Sequence, residues 1–184
     1  MSFVYGVLGG GRQGTAAAYD MARFGDAKQV LIADIILEAA QKSAARVNSL
    51  IGVPVAEPRQ VDVTKHDQLK VFLDPVDSFL SAVPYWNNPG ITRVAIEAKA
   101  CMTDLGGNTD LVREQMKLSP QAKEAGIAIL PDCGQVPGMG TSLTAYAISL
   151  LDETEEVMMW DGGNALHPQP PFKYILTFNI AGLT

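Results

Sequence analysis

The chain has 184 residues, of which 47% are hydrophobic and 18% charged, and its formal net charge is −6. That balance describes a packed globule with one large core and excludes a disordered chain, a basic nucleic-acid footprint and a surface that seeks anionic lipid. Two cysteines are too few for a disulfide scaffold, and no apolar run reaches the roughly 18 residues of a spanning helix, so a cytoplasmic setting without membrane or nucleic-acid partners is expected.

Up to about position 130 the sequence alternates short apolar runs with longer segments of helical spacing, the rhythm of β-α-β units around a parallel sheet. Strands are predicted at Phe3 to Leu8, Gln29 to Ala33, Pro58 to Val63, Ser78 to Val83, Cys101 to Leu105 and Ile127 to Leu130. Between them, Gly14 to Phe24, Ile36 to Leu50, Asp67 to Leu73, Asn88 to Ala100 and Thr109 to Gly126 read as helices, the last broken where Ser119 and Pro120 begin a fresh turn. Asn88 before Pro89 suits a helix cap. After Gly140 a helix from Thr141 to Leu151 is followed by two strand-like runs, EEVMMWDGG and FKYILTFNI, with no helix between them.

The first predicted strand runs into GGGRQG, in which Gly9, Gly11 and Gly14 have the G-x-G-x-x-G spacing. One glycine makes the tight turn, the next lets backbone approach a pyrophosphate, and the third lets the following helix pack against the strand with its N-terminus facing the anion. Asp34 closes the second strand twenty residues beyond Gly14, where a carboxylate accepts hydrogen bonds from ribose hydroxyls. A carboxylate repels a 2′-phosphate, and Ile35 and Ile36 follow it where an NADP site would carry an arginine, so NAD is the expected cofactor. Arg12 and Gln13 lie inside the loop; Arg12 reaches the pyrophosphate or adenine, or is an exposed side chain. The expected fold class is α/β, a doubly wound parallel sheet of Rossmann type over residues 1–134, followed by the start of an α+β second domain over 135–184.

Three further stretches, SAVPYWNNP, CMTDLGGNTD and PDCGQVPGMG, follow predicted strands four, five and six. Together with the glycine loop and the tail WDGGNALHPQPPFKYILTFNIAGLT they resemble the saccharopine dehydrogenase-like family, most nearly its L-lysine 6-dehydrogenases. The resemblance implies a nucleotide domain joined to an α+β domain that supplies a homodimer interface and part of a substrate pocket. It implies NAD-dependent oxidation of the amine-bearing carbon of an amino acid, with the ε-carbon of L-lysine giving up hydride to leave an imine or semialdehyde. Saccharopine cleavage or reduction is the neighbouring activity, and a non-catalytic NAD-binding module is the reading from another class. Members of the family are longer, so 135–184 is expected to be an incomplete second domain.

In a doubly wound sheet, ligands bind beyond the carboxyl ends of the strands, which brings these loops to one crevice. Ser81, Ala82, Val83 and Pro84 are expected along the nicotinamide, or else form a strand end with a stop. Asp62 and Val63 are expected at the adenine, with Thr64 as an alternative helix cap. Asp104, Gly106, Gly107 and Asn108, with Gln135, are expected near the substrate, although two glycines and a capping Asn108 explain the same stretch as a turn. For the general base Tyr85, Asp104 and Asp132 stand as candidates; Asp132 steers an ammonium group or caps a turn. Cys133 reads as a small apolar residue, and two His with two Cys lack any metal-ligand spacing.

Overall fold

The computed structural model describes residues 2–162 and 166–171 and divides into two compact units, Met1–Asp132 and Cys133–Thr184. The expected boundary after residue 134 lies two residues beyond this division.

The first unit is one parallel sheet of six strands in the order β3-β2-β1-β4-β5-β6. In chain order it runs β1 (Phe3–Leu8), α1 (Arg12–Phe24), β2 (Ala27–Asp34), α2 (Leu37–Ile51), β3 (Ala56–Gln60), α3 (His66–Leu73), β4 (Ser78–Ser81), α4 (Asn88–Ala98), β5 (Cys101–Asp104), α5 (Thr109–Met116), α6 (Ser119–Ala125) and β6 (Ile129–Leu130). This is the Rossmann arrangement, reversing direction between β1 and β4.

Why these runs form central strands is visible in their alternation. In β2, Val30 and Ile32 point into a core shared with Val7, Ala18, Ala44 and Val47, on the face covered by α1 and α2. Leu31 and Ala33 point the other way, into a larger core with Leu69, Phe72, Phe79, Ile91 and Met102 beneath α3 and α4. A strand buried on both faces needs apolar residues at every position, so the period of two does not show in its sequence. Register then fixes the site: Leu8 lies opposite Ala33 on one side and Ser81 on the other, and Ser81 lies opposite Asp104. Four strand ends therefore finish level. The outermost strand β3 carries Pro58, opposite Ile32 of β2.

Three strands stop earlier than expected, β5 by one residue at Asp104, and one strand starts later. β3 ends at Gln60 and not Val63, because Asp62 turns the chain by accepting from Thr64 N at 2.9 Å. β4 ends at Ser81; Ala82 N still donates to Leu8 O, but Pro84 has no N–H to continue a ladder. In β6 the start moves from Ile127 to Ile129, since Ile127 N donates to Ala122 O and finishes α6. Asn88 does not cap α4. It is buried, with Ser81 Oγ donating to its Oδ1 at 2.8 Å, and a short 3-10 turn, Tyr85–Asn87, leads into the helix instead.

In the second unit, α7 (Met139–Ser149) begins two residues before the expected helix, with Gly138 N donating to Thr141 Oγ1 at 2.9 Å. Of the expected strand over EEVMMWDGG, the described residues 155–162 form none. The expected strand FKYILTFNI, at 172–180, lies outside the described residues.

His66 bridges two helices of the first unit, its ring facing Asp67 at 3.1 Å and Glu97 of α4 at 2.7 Å. The hydrogen bond to Asp67, then that to Glu97, raise its pKa above 6.5. A raised folded-state pKa stabilises the fold fully below the unfolded value and loses that contribution as pH rises through the folded one. An NMR titration is expected to show the imidazole titrating above 6.5, and Glu97→Gln to move it back down.

Candidate functional site

At the end of β1 the chain makes the predicted elbow. Gly9 N donates to Ala33 O at 2.7 Å, and a Cβ at Gly14 would stand 1.8 Å from Gly9 O. No side chain can occupy that space, so α1 lies closer to β1 here than any other residue permits. The first turn of α1 has no acidic residue, and its N-cap Gly11 offers no side-chain acceptor. Its leading amides are therefore left open to an anion, the arrangement that binds phosphate. Thr15 locks the turn, donating to Gly11 O at 2.8 Å and lying 2.8 Å from Ser43 Oγ of α2.

Asp34 lies beside the elbow, not away from it. Its Oδ2 accepts from Gly10 N at 2.8 Å and its Oδ1 from Ile36 N at 2.9 Å, which fixes the carboxylate while leaving each oxygen a lone pair for a ligand hydroxyl. From here a cleft of about 380 Å³ runs along the strand ends, lined by Gly9, Gly11, Asp34, Asp62, Val63, Ala82, Val83 and Pro84. All eight were singled out in the sequence. Ile35, Thr64 and Asn87 line it as well and were missed as ligand-facing residues; Asn87, directly after the Pro84 turn, had a signal in its position. Asp62 borders the cleft as an ionised group held below the usual carboxylate range by the Thr64 hydroxyl and then by the Thr64 amide.

The other expected residues are arranged differently. Gly14 is buried beneath the elbow, and Gln13 is exposed on α1. Arg12 lines a neighbouring groove of about 530 Å³ between α1 and α2, together with Lys42 and Arg46. Ser81, expected against the cofactor, is 1% exposed and its hydroxyl is engaged by Asn88, so it cannot meet a ligand. Asp104, offered as base and as substrate ligand, is fully buried: its Oδ1 accepts from Gly106 N at 2.8 Å and Asp132 N at 3.0 Å, its Oδ2 from Gln115 Nε2 at 2.8 Å. A carboxylate so enclosed organises loops and does not reach a substrate amine. Asn108 is the N-cap of α5, accepting from Asp110 N and Leu111 N, both at 3.1 Å, so the turn-and-cap reading of this stretch holds.

Tyr85 and Asp132 close over the two glycines. A Cβ on Gly106 would lie 1.7 Å from Asp132 Oδ1, and one on Gly107 would lie 2.6 Å from the Tyr85 ring. Asp132 is itself held at φ 65°, a conformation that costs a non-glycine residue about 1–3 kcal/mol and collects at functional sites. Gln135 belongs to the second unit, where its amide donates to Asp161 at 2.5 Å. Among the described residues no group of three or more His, Cys, Asp or Glu could hold a metal ion, and no helix is long and apolar enough to cross a membrane.

Residues 5–130 match the family described as the saccharopine dehydrogenase NADP binding domain. The chain is similar to a curated protein of Saccharomyces cerevisiae, saccharopine dehydrogenase [NADP(+), L-glutamate-forming], with 27% identity over 120 residues, 65% of this chain and 26% of that one. It thus spans about a quarter of that relative's length. Among solved structures it resembles the apo saccharopine dehydrogenase (L-Glu forming) of Saccharomyces cerevisiae, with a TM-score of 0.64, 24% identity, and coverage of 81% of this chain and 31% of that one. GenD2 from gentamicin A biosynthesis, solved in complex with NAD, gives 0.53 and 20% over 71% of this chain and 34% of its own. At these identities the structural likenesses establish the fold.

The elbow yields a direct test. Gly14→Ala must displace Gly9 O, and the overpacking is expected to cost about 1–3 kcal/mol in a urea melt and to abolish measurable binding of ADP-ribose in calorimetry.

Proposed function

The chain belongs to the saccharopine dehydrogenase family through its NADP binding domain, and from that premise we propose an NAD-dependent oxidoreductase that removes hydride from the amine-bearing carbon of an amino acid, with L-lysine, at its ε-carbon, as the substrate. Bound nicotinamide supplies the hydride acceptor. The residues of the chain do the rest: the open first turn of α1 takes the diphosphate, Asp34 takes the adenosine ribose, and Ala82 to Pro84 hold the ring side of the cleft through backbone and a fixed proline turn.

The observation that carries this reading is Asp34, held 2.8 Å from Gly10 N at the head of the cleft. Each ribose hydroxyl given to it is a charge-assisted hydrogen bond of about 1.5–3 kcal/mol, whereas a 2′-phosphate there meets a fixed negative charge. Calorimetry is expected to give NADH a dissociation constant at least about tenfold below that of NADPH, and Asp34→Ala to weaken NADH selectively and narrow the gap.

One observation favours NADP instead. Arg12, Lys42 and Arg46 line a single groove adjoining the elbow, on a chain whose net charge is −6. Tighter binding of NADPH, weakened by Arg12→Ala and Lys42→Ala, would establish that reading in place of the first.

Substrate class rests on the family and on the motifs after β4, β5 and β6. Incubation with NAD and L-lysine is expected to raise the absorbance of reduced nicotinamide. Turnover with saccharopine alone would assign the neighbouring activity, and dinucleotide binding without turnover of either would assign a cofactor-binding module. Homodimerisation through the second unit belongs to the same proposal and is supported by the exposed Leu143, Tyr146 and Ile148 of α7; sedimentation of the chain tests it.

A further inference from the structure

Behind the Ala82 to Pro84 end of the cleft lies a chain of buried polar side chains. Ser81 Oγ donates to Asn88 Oδ1 at 2.8 Å, and Thr92 Oγ1 donates to Asn88 O at 2.8 Å. Gln115 Nε2 donates to Thr92 Oγ1 at 3.0 Å and to Asp104 Oδ2 at 2.8 Å. Asp104 Oδ1 then takes the amides of Gly106 and Asp132. All five side chains are buried, Thr92 and Asp104 completely, and no buried side-chain polar atom among the described residues lacks a partner.

Two features set this network apart from ordinary core polarity. It begins at the end of β4, passes through α4 and α5, and finishes on the segments leaving β5 and β6, so it ties those two released segments to the last ladder residues of β4 and β5. Its terminal group is also a carboxyl. A carboxylate deprived of water is expensive, and it is tolerated where several donors converge on it. Here three do, and two of them are backbone amides on either side of the Gly106 and Asp132 contact. A neutral core would be the cheaper way to pack these helices. The carboxylate fixes the backbone of two loops to one point, which a neutral apolar side chain cannot do.

We propose that Asp104 is a positioning residue: its Oδ1 clamps the Gly106 and Asp132 backbone, Gln115 orients it from behind, and the network, through Ser81 and Asn88 on either side of the cleft-lining segment 82–87, sets the wall against which the nicotinamide half of the cofactor lies. The proposal rests on the dinucleotide reading above and adds to it a division of labour. The adenosine half is bound by the elbow and Asp34 and does not depend on Asp104; the nicotinamide half does.

The test compares two probes that differ in the nicotinamide alone, NAD and ADP-ribose, by calorimetry on the whole chain. Asp104→Ala leaves two backbone amides without an acceptor and is expected to raise the dissociation constant for NAD about tenfold or more, while that for ADP-ribose stays within about twofold. Asp104→Asn keeps one oxygen for both amides, with the Gln115 amide turned over, and is expected to restore NAD binding to within about threefold. Should Asp104→Ala fail to fold, Gln115→Met removes only the orienting donor and is expected to give a selective loss of about threefold. Equal losses for both probes, or no loss for either, overturn the proposal while leaving the dinucleotide reading intact. An unaltered chain that binds neither probe overturns both.

Discussion

The structure depends on β1 being hydrogen-bonded on both sides. Because Leu8 pairs across to Ala33 and to Ser81, the end of β1, the end of β2 and the end of β4 are brought level, and the next two amides continue the pattern, Gly9 to Ala33 and Ala82 to Leu8. The phosphate-facing elbow, the acid that follows β2 and the segment that follows β4 are distant in sequence and owe their adjacency to this one ladder. Neither the glycine spacing nor the acid at position 34 would make a site if β1 were an edge strand.

The cleft that results uses two different kinds of chemistry. Its elbow side is built near the surface from open helix amides, a carboxylate fixed by two backbone donors, and small residues. Behind Ala82 to Pro84 the packing is built from within, where Ser81, Asn88, Thr92, Gln115 and Asp104 occupy positions that would otherwise be filled by apolar groups. The first arrangement recognises charge. The second holds shape, because each polar atom has one geometry that satisfies all its partners and the low dielectric penalises any other.

Much of this was legible in the sequence wherever the signal was local. Apolar run length and helical spacing located six strands and their helices, and the glycine loop with Asp34 located the cleft, since each of these depends on residues a few positions apart. The ends of β3 and β4 were overextended because Val61, Val63 and Val83 continue an apolar pattern after the chain has turned, and the turn is made by Asp62 and Pro84, whose effect on the ladder depends on its neighbours. Ser81, Asn88 and Asp104 were misassigned for a related reason. A serine, an asparagine and an aspartate at strand or helix ends look like ligand or cap residues; their partners are Asn88, Ser81 and Gln115, and nothing within a short window announces that α4 and α5 will fold over them. The helix-like run at 141–151 kept its identity because its spacing is its own, while a strand, as expected over 155–162, depends on a partner segment as well.

Pro58 stands on the outermost strand, and the bonds on either side of it, Val55 O from Val30 N and Val61 N to Asp34 O, put its nitrogen on the side facing away from β2. The rim of the sheet is thereby one donor short at its midpoint. An extended segment from a neighbouring molecule that tried to zip on at this border would meet a gap where it needs a bond, so the border resists fibre-like stacking.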